Sequence, residues 1–163
     1  MIPKKNVVPM KKLLFVALIA LSGCAAIKSD TSFSREGKLL KDVETLSSDA
    51  YEGRRTGTKG AELAREYIVS RFNEIGLQKL TGKSSFIEDF SFTRRNSTTP
   101  IEAKNILGMV KGSSDKVIVI SAHYDHIGVN GDKIFNGADD NASGIGGLLH
   151  IAAYFAKNKP THT

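Results

Sequence analysis

The sequence predicts an α/β domain, and three observations carry that expectation. Val117-Ile118-Val119-Ile120 is a continuous β-branched run of the kind found in strands covered on both faces. Ile145, Leu148, Leu149, Ala152 and Phe155 then recur at helical spacing. A polar loop lies between them, so strand, loop and amphipathic helix form half of a βαβ unit. The 163 residues, 40% hydrophobic and 25% charged, allow one domain of ordinary size with a real core.

Upstream, the elements follow in order. Residues 1–23 carry lysines first, then an apolar run from Leu13 to Leu21, then small residues. That is the layout of a secretory signal, the run being shorter than the roughly 20 residues of a spanning helix. Residues 24–37 are small and polar and read as a tether, and the folded domain is expected over 38–163. From Lys38, the positions of Leu39, Leu40, Val43 and Leu46 mark one face of a helix. Residues 51–60, YEGRRTGTKG, read as a loop punctuated by glycines. Ala64, Tyr67, Ile68, Phe72 and Ile75 line a second helical face, and Gly76 stands where a terminating glycine belongs. Residues 85–93 read as a strand with Phe86, Phe90 and Phe92 on one side, and 106–110 as another. Pro160 stops the last helical pattern.

Composition narrows the function. The formal net charge is +6, but Lys4, Lys5, Lys11 and Lys12 all lie in the signal-like segment. The remaining 140 residues hold 19 basic and 17 acidic side chains, a net of +2, so no nucleic-acid partner is expected. A single cysteine excludes a disulfide framework and any multi-cysteine metal site. No Trp and 7% aromatic residues argue against a surface that stacks bases or sugars.

The chemistry concentrates in residues 117–144. His123, Asp125, His126, Asp132, Asp139 and Asp140 crowd the loop that leaves the carboxyl end of the apolar run, where open α/β sheets bind ligands. Imidazole and carboxylate without thiol suit a borderline to hard divalent cation such as zinc. In extended chain His123 and Asp125 share a face, so Asp125 can accept the ring N–H of His123 and make its other nitrogen a better donor. Asp139-Asp140 precede a helix whose positive end favours carboxylates, and an ionised aspartate can serve two metals with its two oxygens. A loop histidine is ordinarily just solvated, and Asp-Asp-Asn-Ala-Ser before a helix is ordinarily a cap. Their concentration at one strand end and one helix start is what favours a site. His150 and His162 receive no role.

Two resemblances extend this reading. Leu21-Ser22-Gly23-Cys24 resembles the lipobox of bacterial lipoproteins. It implies a chain lipidated at Cys24, exported and anchored to the cell envelope, on the periplasmic side of an outer membrane where there is one. Residues 122–128, AHYDHIG, and 136–144, NGADDNASG, resemble the metal-binding signatures of the M28 family of zinc peptidases. Residues 40–77, with Glu-Gly-Arg and Gly-Thr-x-Gly, are similar to that family's N-terminal stretch. The resemblance implies an α/β/α sandwich around a mixed, mainly parallel sheet, and a two-zinc aminopeptidase acting on peptides. It implies His123 as ligand to one zinc, Asp140 as the bridge between both, and Asp125 as the carboxylate that orients His123.

The family pattern continues with a general-base Glu beside a Glu ligand, then an Asp and a His. The last glutamate here is Glu102, ahead of the site. The chain is therefore expected to be the front portion of such a peptidase, inactive by itself. The alternatives are a short lipid-anchored protein that binds metal or peptide passively, and a glutaminyl cyclase, which shares similar ligands.

Overall fold

A computed structural model describes residues 35–163; the signal-like segment, Cys24 and most of the tether lie outside the described residues. Helix α1 spans Arg35–Leu46 and so begins three residues before Lys38. Its apolar face does not bury evenly, since Leu46 is enclosed while Leu40 stands in solvent. The 51–60 stretch is not wholly loop, for Asp49–Arg54 form a short 3-10 helix. Helix α2, Lys59–Ile75, buries Ala64, Ile68 and Phe72 as its spacing predicts. Gly76 ends it in the left-handed conformation, φ 81°, and donates its N–H to Phe72 and Asn73 carbonyls.

Strands β1, Ile87–Thr93, and β2, Pro100–Ile106, pair antiparallel with Ile87 opposite Ile106 and Thr93 opposite Pro100. The second strand therefore ends where 106–110 was expected to start. Pairing with β1 sets this register, and beyond it Leu107 still donates to the Phe86 carbonyl while Met109 bridges Gln78. Of the three phenylalanines expected on one side, only Phe86 is buried; Phe90 and Phe92 stack on each other at the exposed end of the hairpin.

A second hairpin, β3 Gly128–Asn130 and β4 Lys133–Phe135, occupies part of the expected polar loop. Asn130-Gly131 is a strong hairpin signal in its own right. A wide turn, Ala138–Ala142, then leads into helix α3, Ser143–Lys157. The core gathers Leu46, Ala64, Ile68, Phe72, Phe86, Ala142, Ile145 and Leu149, with Phe72 and Phe86 edge to face at 5.5 Å. Beside it, buried Asp42 accepts hydrogen bonds from Arg71 Nε at 2.8 Å and the Tyr67 hydroxyl at 2.6 Å, pinning α1 to α2.

The expectation that Val117–Ile120 is a strand covered on both faces is corrected. Among the described residues this run belongs to no sheet, and its four side chains are 49–83% exposed. Its backbone is partly paired: Ile118 N–H donates to the Thr163 carbonyl at 2.8 Å and Thr163 N–H to the Lys116 carbonyl at 2.9 Å, the alternation of a parallel ladder. Helix α3 packs its apolar face on α1 and α2 rather than over this run, which leaves the β-branched side chains open. The described residues thus combine three α-helices with two small antiparallel sheets, and the parallel sheet of the expected sandwich is not among them.

Two outcomes follow for stability. Asp42→Ala leaves the nearly buried Arg71 guanidinium with only the half-exposed Glu74 as partner and is expected to cost about 1–3 kcal/mol in urea unfolding. Burial, then the hydrogen bond to Asp42 and its charge, pushes the Tyr67 phenol well above its ordinary value. Its contribution is complete below the unfolded pKa of about 10 and is lost as pH rises beyond it. Tyr67→Phe is expected to flatten the alkaline decline in unfolding free energy, measured from pH 8 to 11.

Candidate functional site

Three pieces of chain meet at the site: the end of the 3-10 helix at Arg54 to Thr56, the loop through His123–His126, and Asn136 to Asn141. Their meeting begins with an unusual backbone. Glu52, Gly53 and Arg54 take φ values of 48°, 61° and 50°, all in the left-handed region. A Cβ at Gly53 would run into the carbonyl oxygens of Phe135 and Gly128, so glycine lets the second hairpin lie directly against this turn. The same turn sends the Arg54 side chain inward, where it is fully buried.

His123, Asp125 and Asp140, singled out from the sequence, lie close together. His123 Nδ1 is 3.1 Å from the main-chain oxygen of Asp125 and 3.6 Å from its carboxylate Oδ1. A carbonyl only accepts, so the neutral ring carries its proton on Nδ1. Nε2 then presents a lone pair to Asp140 Oδ1 at 3.2 Å. Two acceptors facing each other at this distance call for a cation or a proton between them. Two ligands at about 2.05 Å in a tetrahedral shell stand about 3.3 Å apart, so the spacing fits one shared metal ion. Both side chains are more than half exposed, leaving the approach open.

The other Asp140 oxygen faces a second imidazole, His126 Nδ1 at 3.4 Å. Asp125 Oδ2 accepts a hydrogen bond from the Thr56 hydroxyl at 2.6 Å, which fixes that carboxylate beside His123. Ahead of helix α3, Asn141 Oδ1 accepts the Gly144 N–H at 3.0 Å, and the N-cap position itself is Ala142, so neither aspartate caps the helix. Asp139 lends its main-chain carbonyl to the Ser143 hydroxyl, and Asp132 sits in the turn between β3 and β4. Among the described residues no group of three or more His, Cys, Asp or Glu side chains is arranged around one metal position. The site offers donor pairs on opposite oxygens of Asp140.

The sequence reading left Arg54, Thr56 and His126 without roles, although the structure brings all three here. His126 sat in the quoted AHYDHIG segment and Arg54 in the Glu-Gly-Arg loop. The loop sets Arg54 and Arg55 side by side, and nothing in the local sequence distinguishes the one that turns inward. His162 bonds Ser114 Oγ through Nδ1 at 2.8 Å, on the segment that pairs with Lys116–Ile118, and His150 lies on α3.

The chain is 25% identical over 157 residues to the alkaline phosphatase isozyme conversion protein of Escherichia coli, covering 89% of this chain and 45% of that protein. It is 31% identical over 129 residues to a vacuolar membrane protease of Schizosaccharomyces pombe, covering 73% of this chain and 14% of the relative. A probable zinc metalloprotease of Pyrenophora teres is 27% identical over 116 residues, covering 66% and 24%. The chain spans less than half the length of each of these relatives. The stretch that holds His123, Asp125, His126 and Asp140, residues 105–163, matches the model of Peptidase family M28.

Proposed function

We propose that the protein serves peptide hydrolysis as a zinc metallopeptidase, an aminopeptidase by type, with His123 and Asp140 as metal ligands. The observation that carries this reading is the approach of His123 Nε2 to Asp140 Oδ1 at 3.2 Å. The match of the site-bearing segment to a peptidase family supports it. Zinc, when bound, supplies a Lewis acid that polarises the scissile carbonyl and lowers the pKa of a water to about 7. His123 would contribute a ring nitrogen and Asp140 a carboxylate, whose second oxygen faces His126 Nδ1. Asp125 holds the His123 ring through its main-chain oxygen, and Thr56 holds Asp125.

These 163 residues contain no glutamate beyond Glu102, so the chain by itself is proposed to bind metal without turning over substrate. Peptide is the proposed ligand of the whole protein, and Cys24 its proposed lipid attachment to a bacterial envelope. Among the described residues no helix is long and apolar enough to cross a membrane. The α/β/α sandwich belongs to the same proposal, supported by the parallel pairing of Lys116–Ile118 with Thr163.

His123→Ala and Asp140→Ala are each expected to weaken Co²⁺ binding at least tenfold in a spectroscopic titration, while Asp132→Ala leaves it unchanged. Equal binding by all three variants would remove both ligands from the account. Intact-mass measurement on membrane-extracted protein is expected to find a diacylglyceryl adduct on Cys24, and a free thiol there would exclude the anchor.

A further inference from the structure

Arg54 is buried completely, yet among the described residues no carboxylate touches its guanidinium. Its hydrogen bonds to the described residues run to main-chain carbonyls. Nε donates to Tyr124 O at 2.9 Å, Nη1 to Leu46 O and to Asn136 O at 2.7 Å, and Nη2 to Gly137 O at 2.8 Å. All but one of the guanidinium N–H groups are thereby used. Its own carbonyl accepts the His126 N–H at 3.2 Å.

The acceptors are placed unevenly. Tyr124 lies between His123 and Asp125, Asn136 and Gly137 open the turn that presents Asp140, and Leu46 ends α1. One planar fork therefore ties both site loops to each other and to the helical core. Burying a charge this way is costly, and two non-glycine residues in the left-handed region add backbone strain. Burial pushes the guanidinium below the usual arginine value, and the charges of Asp125 and Asp140 pull it partly back. A positive charge beneath a cation site also opposes the cation. What offsets these terms is the set of four main-chain carbonyls that the planar fork reaches together.

We propose that Arg54 is a positioning residue: its guanidinium fixes the 123–126 loop against the 136–140 turn and so sets the spacing of His123 and Asp140. This rests on the metal reading for its consequence but not for its geometry. Lysine keeps the charge and loses the fork, so Arg54→Lys separates charge from geometry.

The test uses the full chain. In Arg54→Lys, hydrogen exchange is expected to accelerate in peptides covering 122–128 and 136–142, with helix α2 unchanged, and Co²⁺ affinity to fall 10–100-fold. In Arg54→Ala, millimolar guanidinium is expected to restore protection and affinity, and methylammonium is not. Wild-type exchange and affinity in Arg54→Lys would overturn the proposal, as would exchange accelerated equally in α2. Should Arg54→Ala fail to fold, Arg54→Lys decides alone. If the wild type binds no Co²⁺, the metal reading fails while the exchange pattern still decides the role of Arg54.

Discussion

An imidazole lone pair and a carboxylate oxygen held face to face repel one another unless something positive lies between them. That constraint organises the site. Left to themselves, two exposed side chains on separate loops would turn away into water and lose nothing. Here each is held from behind: His123 by the Asp125 main chain, Asp125 by Thr56, and the Asp140 turn by Asn141 and the Arg54 fork. The supports converge from residues far apart in sequence, so the arrangement is a property of the fold and not of one motif.

The fold supplies the rigidity this needs. Three helices share one core, and the Asp42–Arg71–Tyr67 cluster locks α1 against α2 next to it. Arg54 joins that block to the site through the Leu46 carbonyl at the end of α1. Gly53 allows the β3–β4 hairpin to close over the same turn. The left-handed backbone at Glu52–Arg54 is strained local structure retained where it aims a side chain, as strained segments in functional regions commonly are.

Much of this was legible in the residues. Helical spacing placed α1, α2 and α3, because burying one face of a helix leaves a period that survives in sequence. Gly76 was identifiable as a terminator because a left-handed cap suits glycine. His123, Asp125 and Asp140 stood out because their donor types crowd one loop. Other features were not readable. Val117–Ile120 has the composition of a covered strand, but coverage depends on what packs against it, which the run itself does not encode. The β3–β4 hairpin was overlooked among polar residues despite Asn130-Gly131. The roles of Arg54 and Thr56 depend on contacts about 70 residues away along the chain, and no local pattern reports these.

The most direct test of the site is anomalous diffraction at the zinc edge from crystals grown with Zn²⁺. A peak about 2.0–2.1 Å from both His123 Nε2 and an Asp140 oxygen is the predicted result. No peak at that position, with the two groups bridged by a proton or water at full zinc saturation, would contradict it.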